Sequence, residues 1–398
     1  MTEGTTVYHS VWPSGSRRPS PPHDGTLTKR EARIGGGTVT QVDKDAIAGL
    51  LKGRTVLVTG GDGFVGSHLV EALLDYDANV HVLVRPTSSG MLHNTGHVQK
   101  KTTIHRADLT DKQAILQTLK ILKSFGDKAV IFHLGAQAHV GECWNRPYET
   151  LSANVLGVMN LLQSIVDLDM DVYRVDTAGS SEEYGNIREE MRDQYRFDAN
   201  GGLILDERSP VNPQSVYATA KLAADFLTRN YHAAYGVPTV VTRMFNNYGP
   251  RQSPRFITPT IITQALTRDV ITLGYVRSKR DFCFVKDGVR GHIYAALYGT
   301  PGDVYVYGYG STISILDWYQ LIIRTGQEFG YWGPKELQAD TEGRARLGRS
   351  EVEELRVDYS KFNKLTGWTP AYSWEEGVRE TIKWYAEHRE RWSTRIDW

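Results

Sequence analysis

Thr59-Gly60-Gly61-Asp62-Gly63-Phe64-Val65-Gly66-Ser67-His68 follows an apolar run, Thr55 to Thr59, and leads into helical periodicity over Gly66 to Leu74. Glycines at 60, 63 and 66 let the chain turn tightly, bring backbone N–H groups against a pyrophosphate and pack helix on strand. An ordinary glycine-rich turn does not need that spacing between a strand and a helix. The stretch is therefore a candidate dinucleotide site, with Gly60, Gly63, Phe64, Val65 and Gly66 against the phosphates.

Outward from it, β-rich apolar runs alternate with helical patterns. Val80 to Val84, Thr102 to His105, Ala129 to Leu134, Val172 to Thr177 and Thr239 to Phe245 read as further buried strands. Ala153 to Asp167 and Pro213 to Tyr235 read as helices between them. That order predicts right-handed βαβ crossovers, hence an α/β fold of Rossmann type, a doubly wound parallel sheet. Past Asn246 the alternation becomes irregular, as expected of a smaller C-terminal α/β domain that binds substrate. The expected division is a flexible N-terminal extension over 1–50, a dinucleotide-binding domain over 51–245 and a substrate domain over 246–398, with a part near 284–300 returning to the first domain. Ile47, Leu50 and Leu51 fall at helical spacing, so a short helix leads into the domain.

The second strand should end where the adenosine ribose is read, and there stand Arg85 and the hydroxyls of Thr87, Ser88 and Ser89. An acidic residue would favour NAD; Arg85 gives a slight lean to NADP, although arginine also stacks on adenine without reading a phosphate. Asp108 and Leu109 follow the third strand, where the carboxylate can accept from the adenine amino group or else cap a helix. Leu134 and Ala136, after the fourth strand, complete the expected cofactor contacts.

Tyr217 and Lys221 lie four apart on a helical segment and so share one face. An ammonium beside a phenol is expected to lower the phenol's pKa, so that Tyr217 can take an alcohol proton as hydride leaves for a nicotinamide. The fifth strand runs into Ala178-Gly179-Ser180-Ser181-Glu182-Glu183-Tyr184-Gly185. Carboxyl ends of strands face the ligand crevice in such sheets. Ser180 is suited to bind the reacting alcohol oxygen, and Glu182 to remove a proton beside a new ketone; alternatively Glu182 and Glu183 merely open a helix.

Composition limits the alternatives. The 46 basic residues balance 46 acidic ones, so no global field draws the chain to nucleic acid or an anionic membrane. Cys143 and Cys283 are too few for a disulfide scaffold and lack metal-ligand spacing, so no metal is expected. No apolar run approaches the roughly 20 residues of a membrane span. The expected location is cytoplasmic.

With these residues in view, the chain resembles the nucleotide-sugar dehydratase and epimerase family of extended short-chain dehydrogenases, over about residues 53 to 387. The likeness is carried by Thr59 to Gly66, Gly179 to Gly185, Ser209-Pro210-Val211-Asn212-Pro213 leading to Tyr217 and Lys221, Phe245 to Gln252, and Lys279-Arg280-Asp281-Phe282. Ser350-Glu351-Val352 and Thr366 to Pro370 resemble segments of GDP-mannose dehydratases and of GDP-4-keto-6-deoxymannose reductases. The resemblance implies a tightly bound NAD(P), a nucleotide-diphosphate-sugar substrate, a homodimer and a catalytic set of Ser180, Glu182, Tyr217 and Lys221. It also implies substrate contacts at Ser181, Asn246, Arg251, Gln252, Arg280 and Glu351. Two departures stand out: Gly135 lies where many relatives carry alanine, and Gly348-Arg349-Ser350-Glu351 replaces the usual Arg-Pro-Ser/Thr-Glu. The charged excursion from Asn186 to Arg208 is a candidate for setting substrate preference. A 4,6-dehydratase is the leading expectation, ahead of a 4-epimerase or a 4-keto-sugar reductase; outside enzymes, a dinucleotide-binding sensor or scaffold is the remaining class.

Overall fold

All five residues of Thr55–Thr59 are buried, and this strand, β1, stands inside the sheet, third from one edge. In the computed structural model the described residues are 31–34, 37–40, 44–86, 90–126, 128–339, 347 and 350–393. The first 30 residues, the hydroxyls at 87–89 and the pair at 348–349 lie outside them. Helix α1 (Lys44–Leu51) precedes β1 and buries Ile47 and Leu51 in the core, so packing begins before residue 50.

After β1 come α2 (Phe64–Asp75), β2 (Asn79–Val84), β3 (Thr103–Arg106), α3 (Lys112–Lys123) and β4 (Ala129–His133). Next are α4 (Gly157–Asp167), β5 (Val172–Ala178), α5 (Val216–Tyr235) and β6 (Thr239–Met244). The cap and return contain α6 (Ile257–Thr267), α7 (Val285–Tyr298), β7 (Val304–Tyr307), α8 (Ile315–Glu328) and α9 (Trp374–Glu387). The seven strands form one parallel sheet in the order β3-β2-β1-β4-β5-β6-β7. Strand order reverses between β1 and β4, which opens a crevice at their carboxyl ends.

One apolar cluster joins a sheet face to α1, α2, α7 and the cap helices through Val56, Leu69, Ile293, Trp318 and Ile382. A second covers the other face with Leu119, Leu161 and Ala224 from α3, α4 and α5. The return is longer than the expected 284–300: α7 lies against β5 and β6, and the four buried residues of β7 add a seventh strand beside β6. Before α4 the helical run starts early, at Pro147, a residue preorganised for a first turn, and passes through a π turn over Ser152–Leu156. The excursion after β5 folds into a 3-10 turn (Glu189–Gln194) and a short hairpin, where Tyr195, Leu203 and Leu205 pack on Phe245 and Val352.

Candidate active site

A cleft of about 500 Å³ opens at the carboxyl ends of the strands, between sheet and cap. The glycine loop reaches it through Phe64 and Val65. Gly60 has φ +66°, a left-handed turn that glycine adopts freely, and a Cβ at Gly66 would stand 2.2 Å from the Gly60 carbonyl oxygen. Gly63 is the N-cap of α2 and supplies no side-chain acceptor, so first-turn N–H groups are left for a ligand. Phe64 and Val65 of that turn line the cleft. These residues fit a dinucleotide phosphate.

The adenosine end departs from expectation. Arg85 is 68% exposed and lies 3.2 Å from Glu149, an ion pair that occupies the guanidinium expected to read a 2′-phosphate. Asp108 accepts from the Thr110 N–H and hydroxyl at 2.9 and 2.7 Å, and Asp111, not Asp108, caps α3. Leu109 is a packing residue: a Cβ at Gly135 would sit 2.7 Å from it, and one at Gly157 3.0 Å, which explains the glycine at 135. Leu134 packs against the core edge, and Ala136 is half-buried beyond it.

β5 delivers Ser180 and Glu182 to the cleft, and α5 delivers Tyr217. The Ser180 hydroxyl accepts from the Glu182 N–H at 3.2 Å and the Glu183 carboxylate accepts from the Ser180 N–H at 2.7 Å, a capping box that fixes the turn. α5 is set by Ser215, whose hydroxyl accepts from Ala218 N–H at 3.1 Å, and ends at Gly236 in a left-handed cap. Tyr217 and Lys221 are buried on its inner face, and Lys221 Nζ donates to the Ala178 carbonyl at 2.8 Å.

The expected lowering of the Tyr217 pKa is not what the site shows. Burial pushes the phenol up, a hydrogen bond with the Ser180 side chain opposes this, and the charges of Glu182 and Glu183 add to the rise. Lys221 is itself pushed down to about 8 by burial, with Glu183 opposing. Low dielectric penalises both charged forms, and the ammonium spends its bond on a carbonyl.

Ser181, Asn246, Gln252, Arg280 and Glu351 also line the cleft. The buried Oδ1 of Asn246 and Oε1 of Gln252 have no hydrogen-bond partner among the described residues, as groups awaiting a polar ligand would. Arg280 lies 2.9 Å from Glu351 rather than pairing with Asp281. Arg251 is a correction: at φ +71° it turns from the cleft and makes a two-pronged pair with Glu71 at 2.7 and 2.6 Å, plus a contact with His68 at 2.8 Å. The excursion after β5 puts no residue in the cleft lining; Asn186 meets the Glu351 segment, bonding the Glu351 carbonyl at 2.7 Å and the Glu353 N–H at 2.8 Å.

Sequence reading missed His139, Tyr275 and Arg255, which line the cleft too. His139 follows β4, so the strand-end rule could have found it; the other two sit in the irregular cap, where no periodicity points at them.

A sequence profile for the family described as GDP-mannose 4,6 dehydratase matches residues 57–381. The chain is 28% identical to the dTDP-glucose 4,6-dehydratase of Escherichia coli, over 86% of this chain and 96% of that one. It is 29% identical to a GDP-mannose 4,6-dehydratase of Sordaria araneosa over 83% of this chain and 60% of that protein. Among solved structures it resembles the dTDP-glucose 4,6-dehydratase of Streptomyces venezuelae with NAD bound, at TM-score 0.72 and 27% identity over 86% and 99% of the two chains. It also resembles the UDP-glucose 4-epimerase of Thermus thermophilus in complex with NAD, at TM-score 0.69 and 26% identity over 84% and 100%.

Proposed function

The chain belongs to the GDP-mannose 4,6-dehydratase family, within the extended short-chain dehydrogenases that act on nucleotide-sugars through a nicotinamide cofactor, and from that premise we propose that it is a nucleotide-sugar 4,6-dehydratase. The observation that carries the reading is Glu182, a carboxylate 5% exposed that lines the cleft close enough to Tyr217 for its charge to act on the phenol. An epimerase needs the tyrosine and lysine but has no comparable use for a second base.

A bound nicotinamide supplies a hydride acceptor for C4 and a donor for C6. Tyr217 takes the C4 hydroxyl proton while the Ser180 hydroxyl holds the C4 oxygen. Lys221, tethered to Ala178, is held one helical turn from Tyr217 on the same face of α5. Glu182 then removes the C5 proton, made acidic by the adjacent ketone, and the carboxyl so formed returns a proton to the C6 hydroxyl, which leaves as water. Arg280 offers its guanidinium to the diphosphate, a forked cation for phosphate oxygens, and Asn246 and Gln252 offer their unpartnered oxygens to substrate donors.

The Arg85–Glu149 pair and the NAD complexes of the similar structures support NAD over the NADP favoured by sequence. A homodimer through the helices at 147–167 and α5 is part of the proposal, supported by exposed Tyr148, Leu151, Leu156, Met159 and Phe226 on those elements. So is a cytoplasmic location, supported by two buried free cysteines.

The test is incubation with GDP-mannose, dTDP-glucose and UDP-glucose, followed by product analysis. A 4-keto-6-deoxy sugar carrying solvent deuterium at C5 is expected from at least one. Retention of the C6 oxygen in every sugar that turns over would remove the dehydratase.

A further inference from the structure

Beneath the reacting groups lies a buried ionic chain to which the reaction as drawn gives no task. Glu183 is fully buried, and its Oε1 accepts from the Ser180 N–H at 2.7 Å. Its Oε2 lies 2.9 Å from Nε of Arg243, a buried residue of β6. The same Nε lies 2.8 Å from Asp225, and another nitrogen of Arg243 donates to the Tyr184 hydroxyl at 3.1 Å. Asp225, which also pairs with Arg229 at 2.6 Å, follows Tyr217 and Lys221 at four-residue steps, so all three lie on the inner face of α5. Gly179 makes room for the chain, since a Cβ there would stand 2.8 Å from Glu183 Oε1.

The contacts thus run from the serine turn, through Glu183, Arg243 and Asp225, to the helix that carries the tyrosine. The Lys221 bond to Ala178 closes the ring. Stability is a weak account of such a device, because apolar side chains of equal volume often hold as well as a buried ion pair.

We propose that Glu183 is a positioning residue: through Arg243 and Asp225 it sets the spacing between the Ser180–Glu182 turn and the Tyr217–Lys221 face. Around Lys221 the other ionisable neighbours are Tyr217 on its own helix and His133 on β4, which burial and Lys221 hold neutral at about 3. Glu183 faces Arg243, Asp225 and Lys221, and burial pushes it up. Glu183 is the group that opposes the burial of the Lys221 ammonium.

The inference rests on the proposed function only in requiring C4 oxidation, a step that dehydration and epimerisation share. Its experiment compares wild type with Glu183→Gln and Glu183→Asp in two measurements: single-turnover reduction of the bound nicotinamide, and NMR titration of the Lys221 amine in the cofactor-free protein. Glu183→Gln should slow reduction about tenfold with KM unchanged, the scale of a misplaced reacting group. It should also move the Lys221 titration to lower pH. Glu183→Asp, which keeps the charge on a shorter stem, should restore the titration but not the rate. A lower Tm with wild-type rate and titration in the folded protein would overturn the proposal, leaving a structural ion pair. Should neither variant fold, Arg243→Lys keeps a cation but not the guanidinium that reaches Glu183, Asp225 and the Tyr184 hydroxyl together; an unchanged rate there overturns it equally. A wild type that reduces nicotinamide yet never loses water would sink the dehydratase reading and leave this one standing.

Discussion

At the reacting end of the cleft Ser180, Glu182, Tyr217 and Lys221 are each less than a tenth exposed, whereas Arg85 at the adenosine end is 68% exposed and Asp108 bonds only its own turn. The first region is preorganised by partners drawn from β5, β6 and α5. Arg85 pairs, among the described residues, with the exposed Glu149. Electrostatic work at a reacting atom gains from exclusion of water, while recognition at the far end can be carried by exposed groups. Substitutions should therefore be costly at one end and cheap at the other, and that gradient is what measurements can break.

The steepest loss belongs to Tyr217→Phe. Removing the phenolic oxygen should cut kcat by about 10³-fold, within the range of a lost general acid or base. A variant within threefold of wild type, roughly under 1 kcal/mol, would mean that another group moves the proton. Next is Glu182→Gln, expected to slow elimination by about 10²-fold while C4 oxidation continues, so that reduced nicotinamide builds up during turnover. Full turnover with a 4-epimer as product would instead favour an epimerase.

A smaller effect separates the buried histidines from their surroundings. His133, bonded to Thr59 at 3.0 Å, is pushed down to about 3 by burial, and His68, beside Arg251, to about 4. Both folded values lie below that of the unfolded chain, so the unfolded state takes up more protons as pH falls and these histidines cost stability on acidification. Asp281, raised by burial to about 7, acts in the opposite sense, as does Glu183, which burial also pushes up. Only a difference is informative. Between pH 6 and pH 4 the unfolding free energy of His133→Gln, from urea melts, should fall less than that of wild type, by up to about 1.4 kcal/mol per pH unit. Parallel curves would show that His133 does not stay neutral in the folded protein.

What the sequence made legible follows the same gradient. Regular elements near the sheet could be read because burial on both faces writes apolar runs and glycine turns into the chain; β7 was missed because Val304–Tyr307 is only four residues long and sits beyond the irregular cap. Ser180, Glu182 and Tyr217 could be brought to one crevice, with Lys221 behind Tyr217 on the same helix face, because spacing on α5 and the strand-end rule fix them locally. The chain from Glu183 through Arg243 to Asp225 could not: its members come from three elements, and each alone looks like a helix opener, a strand residue and a helix residue. Arg251 was misplaced for the converse reason, since its partner Glu71 lies on α2, 180 positions away.

The gentlest prediction concerns Arg85 itself, and it tests whether the exposed end is as permissive as its surroundings imply. The guanidinium and Glu149 are both exposed, and ion pairs of that kind contribute about 0–1 kcal/mol. Arg85→Ala should leave Tm within error and change the affinity for NAD by less than about threefold. If Arg85 instead swings from Glu149 to a 2′-phosphate, the same variant would lose binding of NADP selectively, because a guanidinium holding phosphate through two bonds is worth far more than one pairing with carboxylate in water. Binding of both dinucleotides to wild type and variant, followed by fluorescence titration, separates the cases: equal small changes keep Arg85 with Glu149, and a loss confined to NADP returns it to the cofactor.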